Sequence, residues 1–415
     1  MLPGSNTEEF TMATFSLLRN ARVFFTTNVN ASTGAVNTTG FSTTNTREIQ
    51  VLEGFSFSQA TNTETITLNE AGSDPARGQQ QFNTSLNPAE FSFSTYIRPR
   101  LNLGADVTPA VTGDNYVEDE TEVLWNALVT GLQDDPSTTL VNGAESGWQR
   151  TTGASPVSTL SMGKSNKNQL VKFGMIILMD GQSYTIDNCS LNTASIDFGI
   201  DQIATVAWSG NGTLIRSGTI VASTATDPVL TGNITGTTPL TGSNSAKGKI
   251  TSAPFISNKL STCVLTKGIA GAGTTAYTLA LTGGTLEINN NISYLTPANL
   301  GIVNSPITYF TGTRAVTGTL NCYLKSTASG AILADILTNA STAIQPSYQI
   351  VINIGGSGAV RVTATMSAAV LAVPTIQTDQ IISTQIGFTA QGVTSGAYDL
   401  DAENELSLQF RSDVS

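Results

Sequence analysis

Histidine is absent from all 415 residues of this sequence. Its absence excludes Ser-His-Asp and Cys-His catalysis and removes the commonest metal ligand. The three cysteines, Cys189, Cys263 and Cys322, stand far apart and form no CxxC pair, which argues against a thiolate zinc site. We expect them to be buried free thiols in a reducing compartment. The sequence therefore predicts a protein that is not an enzyme and that has no catalytic, cofactor or metal site.

Charge is also scarce. Charged residues make up 12% of the chain, against about 25% in ordinary soluble domains. Acids outnumber bases by 30 to 19, for a formal net charge of −11, which argues against a stable electrostatic grip on nucleic acid. The acidic balance is still compatible with a surface that repels phosphate and lets nucleic acid slide past it. Low charge with 38 glycines is typical of β-sandwiches and of subunits that bury surface against their own copies.

Long apolar runs are missing as well. The N-terminus is polar, without a signal-peptide pattern. The apolar clusters Met175–Met179 and Ala368–Val373 are too short to span a bilayer as helices. We therefore expect a chain that has no membrane partner and is kept in the cytoplasm until it assembles.

Strand patterns dominate what is present. β-Branched and aromatic residues, many alternating with polar ones, predict strands at Arg22–Thr27, Glu64–Asn69, Glu90–Ile97, Lys172–Leu178 and Ser347–Ile354. Two segments have helical spacing instead. Val117–Gly131 opens with acidic residues that favour a helix N-terminus, and Gly330–Ala340 repeats its apolar spacing.

The two predicted helices indicate an internal duplication. Each follows two long β regions and precedes three more. Short stretches of similar sequence fall at matching places in the two halves. Glu122–Leu128 resembles Ala331–Leu337, and Asp201-Gln202-Ile203 recurs as Asp379-Gln380-Ile381. At about 100–200 residues per domain, the length suits two to four domains.

The duplication predicts four regions. These are an N-terminal arm at 1–11, a first domain at 12–220, a linker or extended arm at 221–258, and a second domain at 259–415. The linker is rich in Thr, Gly and Ser. A second loop-rich stretch, Leu132–Asn168, is long for a structureless loop inside a domain, so we expect neighbouring subunits to order it.

The chain resembles the tail tube proteins of long-tailed bacteriophages over most of its length outside the linker. The stretches that carry the resemblance begin at Met12 (MATFSLLRNARVFFTTN) and include Arg47–Gly72, Arg77–Pro99, Val123–Leu128, Asp197–Thr213, Asn291–Gly301 and Ile307–Leu324. These motifs are structural and include no catalytic signature. The smallest family members have one tube domain, whereas this chain has the pattern of two.

The resemblance implies a mainly β fold with two tandem β-sandwich or half-barrel tube domains, each flanked by one helix. It implies trimeric rings of six domains with pseudo-sixfold symmetry, stacked into a hollow tube in the virion tail after assembly in the host bacterial cytoplasm. The implied partners are further copies, a tape-measure protein, and tail terminator and baseplate or tip proteins. The resemblance leaves open whether a sheath protein is a further partner. DNA would pass through the lumen without specific binding.

Two groups of charged residues are candidates for the lumen or for contacts between subunits. Alternation would place Asp197 and Asp201 on one strand face. The alternatives for them there are a catalytic pair, tube-lining or inter-subunit charges, or a solvated surface. A basic group near Pro99 suits DNA contact, inter-subunit ion pairs with the acids before the first helix, or plain surface charge. Its members and those acids are Arg77, Arg98, Arg100, Glu118, Asp119 and Glu120.

Other classes of protein remain as alternatives. A surface adhesin or fibre with tandem Ig-like modules requires a secretion route. An outer-membrane barrel requires a signal peptide and aromatic girdles. A hydrolase would have to rely on carboxylates alone.

Overall fold

The chain is described here by a computed structural model. The residues that it describes are 21–38, 41, 45–66, 79–102, 116–130, 147–152, 156–162, 170–179, 182–218, 222–224, 227–230, 255–273, 275–323, 329–343, 347–356, 360–378 and 382–412. The predicted arm at 1–11, Arg77 and most of the predicted linker at 221–258 lie outside them. No helix in the described part is long and apolar enough to cross a membrane.

The fold is mainly β, as predicted. The part before the linker contains one helix, α1 (Glu122–Val129), and the strands β1 (Arg22–Thr26), β2 (Thr46–Ile49), β3 (Ser56–Ser58), β4 (Thr61–Ile66), β5 (Gln80–Leu86), β6 (Ala89–Tyr96), β7 (Arg100–Asn102), β8 (Tyr116–Glu118), β9 (Trp148–Thr151), β10 (Val157–Ser161), β11 (Phe173–Met179), β12 (Gln182–Asp197), β13 (Thr205–Gly212) and β14 (Leu214–Ser217).

The predicted linker contains β15 (Ala222–Thr224) and β16 (Asp227–Leu230), which pair with each other. The part after it contains one α-helix, α2 (Ser329–Thr342), and the strands β17 (Thr262–Lys267), β18 (Ala276–Asn289), β19 (Ser293–Leu295), β20 (Thr308–Phe310), β21 (Ala315–Tyr323), β22 (Tyr348–Ile354), β23 (Arg361–Leu371), β24 (Thr375–Thr378), β25 (Ile382–Gln391), β26 (Val393–Thr394), β27 (Ala397–Tyr398) and β28 (Ser407–Arg411).

Strands of the first part close into a ring of antiparallel pairs, which we call barrel 1. Its circuit runs β1–β2, then β3–β6–β13–β12–β11 and back to β1. The short strands β2 and β3 together fill one position. Closure of this kind covers strand edges along most of the circuit, but β3 has a strand partner on only one side within the described residues.

The same circuit recurs after the linker as barrel 2. It runs β17–β18–β21–β25–β23–β22 and back to β17. The single strand β18 takes the position that β2 and β3 share in barrel 1. Each barrel has a helix between its third and fourth principal segments in chain order, so the repeat predicted from the sequence is present, with three segments before each helix in place of the predicted two.

Two junctions join the barrels. The C-terminal half of β12 pairs with β18, and the last strand, β28, pairs with β23 on one side and with β10 on the other. Buried apolar side chains of both barrels form one continuous core. The boundaries predicted for separate domains, 12–220 and 259–415, remain a prediction.

The first helix is shorter than its sequence pattern predicted. Val117 and Glu118 lie in β8, which pairs with β7, and the helix begins only at Glu122. The turn between them is fixed by Asp119, whose carboxylate accepts a hydrogen bond from the backbone N–H of Thr121 at 2.9 Å. A side chain that bonds the backbone in this way competes with helix formation, which explains the later start.

Within the loop-rich stretch Leu132–Asn168 the structure describes residues 147–152 and 156–162, which form β9 and β10 and pair within their own chain. This part does not need the neighbouring subunits that we expected to order it, and the rest of the stretch lies outside the described residues. Trp148 begins β9 and is completely buried. Its ring lies 4.6 Å from that of Phe410 in β28. The C-terminal strand therefore provides the packing that we had assigned to another copy, and the sequence gives no local sign of a contact so distant along the chain.

Candidate functional site

One face of the sheet shared by the two barrels is polar. It follows β3, β6, β13, β12, β18, β21 and β25, in which alternate residues point away from the core. We call it the polar face, and it consists of Ser56, Ser58, Glu90, Ser92, Ser94, Tyr96, Thr193, Ser195, Asp197, Thr205, Ala207, Ser209, Asn211, Thr285, Glu287, Asn289, Ala315, Thr317, Thr319, Asn321, Tyr323, Ser383, Gln385, Gly387, Thr389 and Gln391.

The polar face exists because these strands alternate with period two. In β6 the pattern of side chains is buried, exposed, buried, exposed along its first residues. The buried partners are apolar, and in β13 they include Trp208, whose indole N–H donates to Thr95 Oγ1 at 2.9 Å. The opposite positions are mostly small or polar and at least partly exposed, although the Tyr96 ring packs 5.2 Å from that of Phe255.

Hydroxyl pairs link neighbouring strands across the polar face. Ser56 Oγ and Ser92 Oγ are 2.8 Å apart, and Thr193 Oγ1 and Ser209 Oγ are 2.6 Å apart. Barrel 2 has a corresponding pair in Thr285 and Thr319, with their hydroxyl oxygens 3.0 Å apart. Short side chains that bond each other give a smooth, rigid surface, since cross-strand pairs are the unit of sheet stabilisation.

The charges of the polar face have one sign. Its ionisable carboxylates are Glu90, Asp197 and Glu287, and none of the positions that define the face holds lysine or arginine. With neutral hydroxyl and amide groups elsewhere, the face offers hydrogen bonds but no positive charge to hold phosphate.

Asp197 lies on the polar face at the end of β12 and is exposed. The second predicted carboxylate, Asp201, lies in the turn beyond the strand, so the two do not share a strand face as alternation predicted. The strand ends because Asp197 Oδ1 accepts a hydrogen bond from the backbone N–H of Gly199, at 3.1 Å, and so forms a turn.

The predicted basic and acidic groups do meet, but within one chain. Arg100 pairs with Glu118 across β7 and β8, and Arg98 Nη1 lies 3.5 Å from Glu120 Oε1. The backbone N–H of Arg98 donates to Asp119 Oδ2 at 2.9 Å. A role for any of these charges between subunits or in the lumen stays a prediction.

Burial dominates the acidity of two of these groups. It raises the pKa of Glu120 to about 7, although the nearby Arg98 guanidinium acts in the opposite direction. Burial likewise raises the pKa of Asp119 to about 6, against the hydrogen bonds from Thr121 and Arg98. Removing a carboxylate from water favours its neutral form. Ionisation of these two groups should therefore lower the stability of the folded state, by an amount that depends on pH.

Sequence reasoning missed one buried ionic group. Glu122, the first residue of α1, lies between two arginines: Arg47 Nη1 is 2.7 Å from its Oε1, and Arg150 Nη2 is 2.7 Å from the same oxygen. Arg150 also stacks 4.3 Å from the centre of the Tyr116 ring. Strands from distant parts of the sequence bring these residues together, so no local spacing signals the cluster.

Three further predictions concern cysteines, tryptophans and metals. Cys189, Cys263 and Cys322 are free and buried, as expected, and burial raises the pKa of the Cys322 thiol to about 11. Trp125 and Trp208 belong to the core, as predicted, with ring centres 4.7 Å apart. Among the residues that the structure describes, no group of His, Cys, Asp and Glu could hold a metal ion.

Two linked barrels with a continuous polar face define a structural β-barrel protein. The chain is 34% identical over 404 residues to tail tube protein pb6 of Escherichia phage T5, and the alignment covers 95% of this chain and 76% of pb6. The chain belongs to the phage tail tube proteins. The family resemblance drawn from the sequence is thus confirmed, in preference to the adhesin alternative.

Other comparisons add little. No protein-family model matches the chain. A chain in the sixfold-symmetrised cryo-EM structure of the anti-feeding prophage baseplate is 10% identical, and the match covers 31% of this chain and 86% of that one, with a TM-score of 0.25. A likeness at this level carries no argument.

Proposed function

We propose that three copies of this chain form a ring of six barrels and that stacked rings make the hollow tube of a phage tail. The polar face, continuous over both barrels, is the observation that carries the proposal. A subunit with such a face on one side and a closed apolar core on the other is suited to line a channel. Contacts that repeat by rotation then close a ring.

In this proposal each barrel is one tube domain, with boundaries at 12–220 and 259–415. Two domains per chain make three chains sufficient for six positions and give the ring pseudo-sixfold rather than true sixfold symmetry. The two barrels share their strand circuit but differ in sequence, so alternate positions around the ring are equivalent in fold and distinct in surface.

The proposed lumen conducts DNA without binding it. Carboxylates repel phosphate, and a surface of hydroxyl and amide groups offers only weak, exchangeable hydrogen bonds. Glu90, Asp197 and Glu287 lie on the polar face and would supply that repulsion. Catalysis has no part in this role. The proposed location is the virion tail, after assembly in the host cytoplasm, with tape-measure, terminator and baseplate or tip proteins as partners.

Electron microscopy tests the ring directly. Negatively stained protein should show rings or tubes with six lobes around a hole, and the mass of an isolated ring should equal that of three chains. Rings of six chains would contradict the pseudo-sixfold arrangement. A protein that stays monomeric at high concentration and with virion components would overturn the proposal.

A charge reversal tests the lumen. Tubes with Asp197→Lys and Glu287→Lys should retain short duplex DNA at low salt, whereas wild-type tubes should not, and added salt should release it. Asp201→Lys is the matched control, because that carboxylate lies in the turn outside the polar face. Equal DNA retention by the control and by the lumen variant would contradict the assignment of the polar face.

A further inference from the structure

We infer that the junction between the two barrels of one chain is the template for the junction between neighbouring chains. In this arrangement the edge formed by residues 372–377, which includes most of β24, pairs antiparallel with β3 of the next copy. The inference rests on the proposed ring and adds the surface, the orientation and the register of its contacts. Its occupant is a second copy of this chain.

The internal junction has a definite register. Thr193 pairs with Asn289 and Asp197 with Thr285, so that β12 and β18 run antiparallel. Backbone hydrogen bonds flank these pairs, from Asn290 N to Asn192 O at 2.9 Å and from Phe198 N to Gly284 O at 3.1 Å. Because bonded and non-bonded pairs alternate in an antiparallel ladder, Thr193 and Asn289 form a non-bonded pair, the closer kind.

Barrel 2 has an equivalent of β12, the strand that barrel 1 contributes to this junction. In barrel 1, Tyr96 pairs with Thr205, which pairs with Asp197. In barrel 2, Tyr323 pairs with Ser383, which pairs with Gln377. Gln377 is therefore equivalent to Asp197.

Counting back along both strands then makes Val373 equivalent to Thr193. Both strands also have a bulge near this position, where the strand contains one residue more than its partner. The bulge lies between Leu191 and Thr193 in β12 and between Leu371 and Thr375 in barrel 2. A shared bulge at the same place supports the equivalence, because bulges are specific features of a fold.

Barrel 1 has an equivalent of β18, the strand that barrel 2 contributes to the junction. Ser92 pairs with Ser56 and Thr319 pairs with Thr285, and both pairs join their hydroxyl groups. Counted from the equivalent tyrosines, Ser92 and Thr319 hold the same position. Ser56 is therefore equivalent to Thr285, and Ala60 is equivalent to Asn289.

Both equivalent strands pair on one side only within the described residues. β3 pairs with β6, and β24 pairs with β25, whereas their counterparts β18 and β12 are paired on both sides along the junction. Open edges of this kind invite another strand. Transferring the internal register places Val373 of one copy opposite Ala60 of the next. Both side chains are exposed, with Val373 at 57%.

Pro374 is the one departure from the template. It holds the position of Ala194, and without an N–H it can only accept a hydrogen bond from the next copy. Proline is compatible with an edge position whose N–H is not needed by its own sheet. The junction between chains should therefore contain one hydrogen bond fewer than the junction within the chain.

The surroundings of the two helices support the same contact between neighbouring chains. At the internal junction, Asn290 Nδ2 donates to the carbonyl oxygen of Leu128 at 2.9 Å, and Leu128 is completely buried. Its sequence counterpart Leu337 in α2 is 48% exposed. A neighbouring copy docked on β24 would approach α2 as barrel 2 approaches α1 and would cover this leucine.

Disulfide trapping in assembled rings tests the register. Val373→Cys combined with Ala60→Cys should cross-link chains under mild oxidation, because a non-bonded antiparallel pair has Cα atoms about 4.5 Å apart, within the disulfide range. Non-reducing gels should show species of two and three chains that reducing agent abolishes. Thr193→Cys with Asn289→Cys is the positive control and should close within one chain.

The mismatched pair Val373→Cys with Ser56→Cys should stay uncross-linked, as should each single variant, since the native thiols are buried. Rings that are intact by electron microscopy but do not cross-link at the matched pair would overturn the inferred register and leave the proposed ring standing. Equal cross-linking of the mismatched pair would also overturn it. Absence of rings altogether, for the wild type as well, would overturn the proposed function.

Discussion

The two helices occupy equivalent places in the two barrels, yet their surroundings differ. Every residue of α1 is buried, whereas α2 buries Ile332 and Ile336 on one side and leaves Leu337 exposed. The first helix is covered by β9 and β10, which follow it in the chain, and by the C-terminal strand β28, whose Phe410 ring centre lies 6.0 Å from that of Trp125. The second has no such cover among the described residues.

This difference shows how a duplicated fold becomes asymmetric. The part after the linker supplies β28 and Asn290 to complete the surroundings of α1, so this side of the first barrel is covered within the chain. The second barrel keeps open the surfaces that its counterpart has filled. We therefore expect stability to be concentrated around α1 and the proposed contacts with neighbouring copies to be concentrated around α2.

The ion pairs at the two helices should differ most. Glu122→Gln removes the buried carboxylate that Arg47 and Arg150 share and should lower the free energy of unfolding by about 3–5 kcal/mol. Asp335→Asn removes a pair with Lys267, whose side chain is 43% exposed, and should cost about 1 kcal/mol or less. Urea denaturation of both variants measures the contrast, and equal losses would contradict it.

The equivalent leucines should separate folding from assembly. Leu128→Ala should cost about 2–5 kcal/mol, because it empties a fully buried site. Leu337→Ala should cost less than about 1 kcal/mol, because this side chain is half exposed. Leu337→Arg should fold normally and fail to form rings. The free energy of unfolding and ring formation by electron microscopy provide the two readouts, and rings formed by Leu337→Arg at wild-type yield would refute the asymmetry.

The acids before α1 should make stability depend on pH. Because the folded pKa of Glu120 is raised from 4.5 to about 7, the folded state holds a proton that the unfolded state has released. The contribution of this carboxyl to stability should be greatest below about pH 4.5, fall as the pH rises toward 7, and then level off, with Asp119 acting in the same direction.

Glu120→Gln should flatten this fall by about 1–3 kcal/mol. Glu90→Gln, at an exposed carboxylate of the polar face, controls for the change in net charge. Thermal unfolding from pH 4 to pH 8 measures the effect, and identical profiles for wild type and Glu120→Gln would contradict the role of burial.

Asp197→Asn should have the smallest effect. Its side chain is exposed on the polar face, so the free energy of unfolding should stay within about 0.5 kcal/mol of wild type. The matched change in the adjoining turn, Asp201→Asn, should do the same. A larger loss for Asp197 alone would show that the face contributes to the fold and is not merely displayed by it.

Local patterns predicted the elements more reliably than their surroundings. The strand at Glu90–Ile97 appears as Ala89–Tyr96, and the helix at Gly330–Ala340 as Ser329–Thr342. Both depend on periodicity within a short window. The start of α1 was placed too early, because the bond from Asp119 to the Thr121 N–H is a local alternative that periodicity does not register.

The functional surface was only partly predictable. Alternation in β6 indicated which of its residues face outward, but it did not indicate that seven strands from both barrels would join their outward residues into one face. Asp197 lies on that face, whereas the strand face that we predicted it to share with Asp201 was wrong, because Asp201 lies in the turn beyond β12. The Glu122 cluster had no signal, because Arg47 and Arg150 are far from it in the sequence.

The sequence by itself determined a mainly β chain without histidine chemistry, with a repeated order of strands around two helices, because composition and short-range periodicity are local properties. Only the tertiary structure decided that each repeat closes into a barrel, that β12 and β18 join the barrels in a fixed register, and that β28 returns to complete the first. Such pairings connect residues far apart in the chain, and their free energy comes from burial and hydrogen bonds that no local window contains.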